Sequence, residues 1–167
     1  MLKCKQYISK MRIFAFILLL ATLAFNLVSC NKNIDCYSLA ESFREGFGME
    51  GTIYSPRIPE GDGGYVSEDF YILMYSDENT HAEDYAILLS GRGDLPGEAA
   101  FFLAYSEWDA ISIEEMLGAR LDLIGSLFGK GEGSPAKGGF VLRSGKLVVM
   151  CATRDNERAR SVVKMII

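Results

Sequence analysis

The chain has 167 residues, of which 22 are Asp or Glu and 17 are Lys or Arg, and its formal net charge is −5. An acidic chain without a basic stripe is repelled by phosphate backbones, so nucleic-acid binding is disfavoured and we expect no nucleic-acid partner. The length suits one domain whose core needs no metal or disulfide for support.

The N-terminal segment has the organisation of a secretory signal peptide. Four basic residues precede or flank the start of the uncharged run 13–25. A helix of this length rises about 20 Å, which is less than the roughly 30 Å of a bilayer's hydrocarbon core. A basic segment, an apolar segment and a small residue before the cleavage point are typical of a signal peptide. We therefore expect residues 1–29 to be removed by cleavage after Ser29. Met11 is a second candidate start, because 11–30 already contains a complete signal.

The residues at the end of this segment, Leu27, Val28, Ser29 and Cys30, resemble the lipobox of bacterial lipoproteins. In that family the cysteine sulfur receives a diacylglyceryl group, the signal is cleaved before the cysteine, and the new N-terminus is usually acylated. The resemblance implies cleavage between Ser29 and Cys30 and a lipid on Cys30. Since each buried CH₂ contributes about 0.8 kcal/mol, two or three acyl chains would hold the protein on the extracytoplasmic face of the cell membrane. The alternatives are an ordinary signal peptide with a chance cysteine, or an uncleaved anchor.

Cleavage would leave an acidic mature chain of 138 residues. It would carry 13 Lys and Arg against 22 Asp and Glu, a formal net charge of −9. We expect a short polar tether over 30–35 and a single domain over 36–167. Cys36 and Cys151 are the two cysteines of that domain, and an oxidising exterior would permit a bridge between them. The apolar surroundings of Cys151 instead favour a buried free thiol.

Helical spacing and a capping-box pair, Ser38 and Glu41, predict a first helix over 36–47. The Gly- and Pro-rich residues 48–69 predict a loop with one short strand. The run 70–76 is ambiguous, because its residues favour a strand while the polar residues before it are typical of a helix start. The runs 84–90 and 99–105, joined by a Gly and Pro turn, predict an antiparallel hairpin.

The second half of the chain contains the longest predicted helix. Its cap is Asp109 or Ser112, and its apolar stripe is formed by Ile113, Met116, Leu117, Leu121, Ile124 and Leu127. We expect Trp108 to pack against this helix as a staple. Two strands joined by Ser144 and Gly145 follow, and then a terminal helix capped by Asp155. This order predicts an α+β domain with two layers: an antiparallel sheet of about four to five strands and helices packed on one face.

Residues 67–167 resemble a family of short lipoproteins from Gram-positive anaerobes that is described as a domain of unknown function. The resemblance is carried by the sequences DYAILLSGRGDLPGEAAFFLAY, IEEMLGARLDLI and GKLVVMCAT and by the Asp-led terminal helix. It implies an extracytoplasmic lipoprotein, and it shifts the interpretation of 70–76 toward a short helix ending near a tyrosine. The family's glutamate and arginine map to Glu98 and Arg120. We expect an ion pair that fixes the long helix against the hairpin edge, and the alternative is a ligand-facing polar pair in a groove.

The sequence contains no known catalytic motif, and we expect no cofactor and no metal ion. The single histidine, His81, lies in an acidic stretch with Asp77, Glu78, Glu83 and Asp84, whose spacing fits neither an EF-hand nor a zinc motif. We interpret this stretch as an exposed acidic loop, with a weak calcium site as the alternative. The aromatic residues of the predicted strands are expected in the core rather than in a sugar- or peptide-binding groove.

Two classes of function remain. The first is a non-catalytic binding or interaction module of the cell envelope, whose partner would be an envelope protein or a wall polymer. The second is a small hydrolase or accessory enzyme that acts through carboxylates such as Glu98. The absence of catalytic motifs favours the first class.

Overall fold

The computed structural model describes residues 34–75, 81–91, 97–129 and 131–167. Asp35–Ile167 form one compact unit. In chain order its helices and strands are α1 (Cys36–Phe47), β1 (Gly51–Tyr54), α2 (Glu68–Tyr75), β2 (Ala82–Ser90), β3 (Glu98–Ala104), α3 (Glu107–Phe128), β4 (Phe140–Ser144), β5 (Leu147–Ala152) and α4 (Asn156–Ile166).

The five strands form one antiparallel sheet in the order β1-β2-β3-β5-β4. The two predicted hairpins are both present, as β2 with β3 and β4 with β5. The second hairpin turns at Gly145 and Lys146, one position later than predicted, and Gly145 takes the positive φ of 59° that this tight turn requires. The α+β class and the antiparallel sheet are therefore confirmed.

The prediction that helices cover only one face of the sheet is wrong. Helices α1 and α4 pack on one face, against residues such as Phe101 and Val149. Helices α2 and α3 pack on the other face, against Phe102 and Val148. The strands β3 and β5 are buried along nearly their whole length, because consecutive side chains point to opposite faces and both faces meet helices. The domain therefore has three layers, with two separate cores.

Local signals explain where the helices begin. Helix α1 spans the predicted residues, but Asp35 caps it by accepting a hydrogen bond from the backbone N–H of Ser38. Residues 70–75 of the ambiguous run belong to helix α2, and Ser67 accepts a hydrogen bond from the N–H of Phe70 at its start. Residue 76 lies outside the described residues. Helix α3 begins at Glu107, earlier than predicted, because Ser106 accepts from the N–H of Asp109.

The predicted position of Trp108 is also wrong, because its side chain is 82% exposed. Residue 108 lies in the first turn of α3, and the buried residues Ala110, Ile113 and Leu117 occupy the opposite side of that helix. At 100° per residue, Trp108 lies almost diametrically opposite this buried stripe. The early start of the helix therefore places the indole outside the core.

The two ends of the sheet bring different residues together. At one end of the sheet, which we call the Asp84 end, β2 begins and β3 ends. There Leu103 of β3 pairs with Asp84 of β2 on one side and with Leu147 of β5 on the other. At the Glu98 end, β2 ends at Ser90, β3 begins, and Glu98 pairs with Ala152. Nine residues of β2 separate the ends by roughly 26 Å.

Candidate functional site

Glu98 and Arg120, which the sequence resemblance singled out, are in contact. Arg120 donates from Nη2 to Glu98 Oε2 at 2.7 Å and from Nε to the same oxygen at 3.1 Å. Nε also lies 3.3 Å from Oε1, which in addition accepts a hydrogen bond from the hydroxyl of Tyr75 at 3.2 Å. The arginine comes from α3, the glutamate from β3 and the tyrosine from α2, so this cluster joins three elements.

The cluster is buried. The side chain of Glu98 is 5% exposed and that of Arg120 is 15% exposed. Burial, followed by the charge of Glu98, raises the pKa of Tyr75 well above its ordinary value, so its hydroxyl stays protonated and can donate. Burial lowers the pKa of Arg120, but the hydrogen bonds and the charge of Glu98 outweigh this effect and the net shift is upward. The guanidinium and the carboxylate therefore balance each other's charge.

A cavity of about 220 Å³ opens beside this pair at the Glu98 end of the sheet. Its lining is mainly apolar. Besides Glu98 and Arg120 it is formed by Leu89, Ser90, Gly97, Ile124, Phe128, Pro135 and Ala152. The ion pair joins α3 to the sheet, and the same two side chains form part of the cavity wall.

The carboxylate of Glu98 is already hydrogen-bonded within the cavity wall. Hydrolysis by paired carboxylates needs a second acid within about 10 Å of the first. Of the described residues that line the cavity, Glu98 is the only acid. Its two oxygens already accept hydrogen bonds from Arg120 and Tyr75. The carboxylate is therefore occupied, and the remaining apolar surface is suited to hold a small apolar group.

The acidic stretch around His81 differs from the exposed loop that we predicted. Asp77 and Glu78 lie outside the described residues. Asp84 is only 6% exposed, and it accepts a bidentate pair of hydrogen bonds from Arg57, Nε to Oδ1 at 3.0 Å and Nη2 to Oδ2 at 2.9 Å. The N–H of Cys36 donates to the same carboxylate at 3.0 Å. Asp84 therefore anchors the start of α1 and a loop to the sheet, which is a structural role.

Among the residues that the structure describes, His81 does not form a Ser-His-Asp triad. Its Nδ1 lies 3.0 Å from Asp109 Oδ1, and the hydroxyl of Ser106 donates to the other carboxylate oxygen of Asp109. The hydrogen bonds from Ser106 and then from His81 lower the pKa of Asp109. A triad requires the histidine to contact the serine, whereas here the aspartate stands between them. Ser106 is the N-terminal cap of α3, and His81 contacts this helix start through the carboxylate of Asp109.

Cys36 and Cys151 are free and buried. Burial, and for Cys36 also the nearby Asp84, raises the pKa of both thiols, so neither is a reactive nucleophile. No group of three or more His, Cys, Asp or Glu suited to a metal ion occurs among the residues that the structure describes.

Ser29, Cys30 and the whole predicted signal peptide lie outside the described residues. Within the described ranges, no helix is both long enough and apolar enough to cross a membrane.

Sequence reasoning missed two parts of the site. Tyr75 was treated as one aromatic residue among several, and the only signal that could have separated it was the resemblance, which places a tyrosine at the end of a short helix. The cavity is lined by residues from 89 to 152, so no local pattern could have predicted it.

Comparisons with protein-family models, with curated proteins and with solved structures found no match for this chain. The resemblance to short lipoproteins therefore stays a prediction, and the function has to be inferred from the chain's own residues.

Proposed function

We propose that this protein is a membrane-anchored extracytoplasmic lipoprotein whose domain is a non-catalytic binding module of the cell envelope. The lipobox-like residues Leu27 to Cys30 support the anchor. The observation that carries the binding role is the open, mainly apolar cavity beside a charge-balanced Glu98–Arg120 pair. Such a cavity can hold an apolar side chain or a small apolar solute, while the buried pair keeps its wall rigid.

The anchor is tested by the intact mass of the protein made in a bacterium that processes lipoproteins. We expect a chain that begins at Cys30 and carries a diacylglyceryl group, recovered in the membrane fraction. Cys30→Ala is the matched control, and it should be neither lipidated nor cleaved at this position. An unmodified cysteine, or a retained N-terminal segment, would refute the anchor.

The binding role is tested by photocrosslinking in living cells. A photoreactive amino acid replaces Leu127, which is exposed near the end of α3, and we expect a crosslinked product with one envelope protein or with wall polymer. Ser161, exposed on α4, is the control position and should give no such product. Ala152→Leu places a larger side chain in the cavity and should weaken the Leu127 crosslink.

The carboxylate-dependent hydrolase is the competing outcome. Hydrolysis of an envelope polymer by the purified protein, abolished by Glu98→Gln while the variant stays folded, would favour it over the binding module.

A further inference from the structure

The Asp84 end of the domain is where the chain from Cys30 enters. Asp35 caps α1, and the next residue, Cys36, donates its N–H to Asp84. Cys30 lies only five positions before Asp35, and an extended chain over those five steps spans at most about 18 Å. If Cys30 carries lipid, the Asp84 end therefore stays close to the bilayer surface.

Exposed aromatic residues gather at this same end. Tyr105 donates its N–H to the carbonyl of His81 at 3.2 Å, three residues before Asp84 in the chain. Trp108 adjoins Asp109, whose carboxylate contacts His81. The side chain of Tyr105 is 57% exposed and that of Trp108 is 82% exposed. In a helix the Cα–Cβ bonds tilt toward the N-terminus, so Trp108 leans toward the Asp84 end rather than along α3.

We propose that Trp108 and Tyr105 insert into the headgroup region of the bilayer and orient the domain on the membrane. This inference rests on the proposed anchor at Cys30. Tryptophan and tyrosine are suited to this depth, because their rings are apolar while their N–H and O–H groups remain hydrated. The contact is apolar rather than electrostatic, because acidic residues outnumber basic ones at this end and the mature chain carries a formal net charge of −9. The acids there are Asp35, Glu83, Asp84, Glu107 and Asp109, and the basic residues are Arg57 and Lys146.

The chain contains a single tryptophan, so its fluorescence reports this contact directly. The lipidated protein is placed in phosphatidylcholine vesicles that contain a nitroxide-labelled lipid as quencher at headgroup depth. Trp108 should lose about half of its emission or more, because interfacial aromatic rings lie at this depth. The matched control moves the tryptophan to the other end of α3, as Trp108→Phe with Leu127→Trp. That residue should lose less than about a tenth, because α3 extends roughly 30 Å between the two positions.

A second preparation separates failure of this contact from failure of the anchor. The chain from Cys30 onward is coupled to a maleimide-bearing lipid, which reacts with Cys30 because Cys36 and Cys151 are buried. Quenching of Trp108 in this preparation supports the contact even if cells do not lipidate Cys30. Equal quenching at Trp108 and at Leu127→Trp, or none at Trp108 in vesicle-bound protein, would overturn the inference. Quenching that appears only in anionic vesicles would also overturn it, because it would indicate an electrostatic contact.

Discussion

Arg120 compensates the negative charge of Glu98 at a buried position. Arg120→Ala would leave a carboxylate that is 5% exposed without its cation. Removal of one partner from a buried pair costs about 3–5 kcal/mol, and we expect a loss near the lower value because the arginine is partly exposed. The measurement is the free energy of unfolding in urea.

Arg143→Ala is the matched control for this loss. Arg143 donates to Glu114 at 2.7 Å, but both side chains are more than a third exposed. A pair in such surroundings contributes less than about 1 kcal/mol. Equal effects of the two substitutions would contradict a stabilising role for the buried pair.

The two buried thiols predict a loss of stability at alkaline pH. In the unfolded chain both cysteines ionise near their ordinary pKa of 9.0, whereas burial raises the pKa of both thiols in the folded domain. The stabilising contribution is therefore complete below about pH 9 and is lost as the pH rises. Each thiol lowers the free energy of unfolding by about 1.4 kcal/mol per pH unit above that point.

Cys151→Ala separates this effect from general alkaline unfolding. The variant is less stable at every pH because it loses buried volume. Its free energy of unfolding should nevertheless fall less steeply above pH 9, because one proton fewer is released on unfolding. Urea denaturation between pH 8 and pH 11 under reducing conditions measures both slopes. Parallel slopes would contradict the assignment to this thiol.

At the scale of elements, Asn156 joins the start of α4 to the loop before β4. Its Oδ1 accepts from the N–H and the hydroxyl of Thr153 at 2.8 and 3.0 Å. Its Nδ2 donates to the carbonyls of Pro135 and Lys137 at 2.9 and 2.8 Å. Asn156→Ala should cost about 2–3 kcal/mol, because several buried groups lose their partners together.

Asn156→Asp tests whether the hydrogen bonds that Asn156 donates to the loop, rather than those that it accepts from Thr153, stabilise this loop. The aspartate keeps the acceptors for Thr153 but loses the donors to the two carbonyls. We expect hydrogen exchange to accelerate in 131–139 and to stay slow in β5. Uniform acceleration across the domain would indicate that the network stabilises the fold as a whole rather than the loop.

The elements also show how far a single sequence predicts this structure. Both hairpins and three of the four described helices followed from local signals: helical spacing, turn residues and side chains that cap. The second helical layer could not be predicted from local signals, because the continuous apolar runs of β2, β3 and β5 are equally compatible with helices on one face of the sheet or on both. Asp84 was interpreted as a loop carboxylate for a similar reason, since its partner Arg57 lies 27 residues away.

The candidate site was also predictable only in part. Glu98 and Arg120 could be named through a resemblance, although they lie 22 residues apart. The cavity beside them could not be predicted, because its lining comes from β2, β3, α3, β5 and the loop before β4. Only the packing of these elements creates the space, and no periodicity along the chain encodes it.

At the scale of the whole domain, the two ends of the sheet have different surroundings. The Asp84 end carries the short connection to Cys30 and the exposed aromatic residues, while the cavity opens at the Glu98 end, roughly 26 Å away along β2. An anchored domain that stands on its Asp84 end would therefore hold the cavity away from the bilayer. A partner in the wall or on another envelope protein could then reach it.

This orientation predicts different distances from the membrane for two labelled positions. Ser144→Cys lies beside the turn at the Asp84 end, and Ser126→Cys lies near the end of α3; both positions are exposed. The label reacts with these cysteines because Cys36 and Cys151 are buried. Energy transfer to an acceptor lipid should be strong from position 144 and weak from position 126, since about 25 Å of domain separates them. Equal transfer would mean that the domain lies on its side, with the cavity no farther from the bilayer than the aromatic residues.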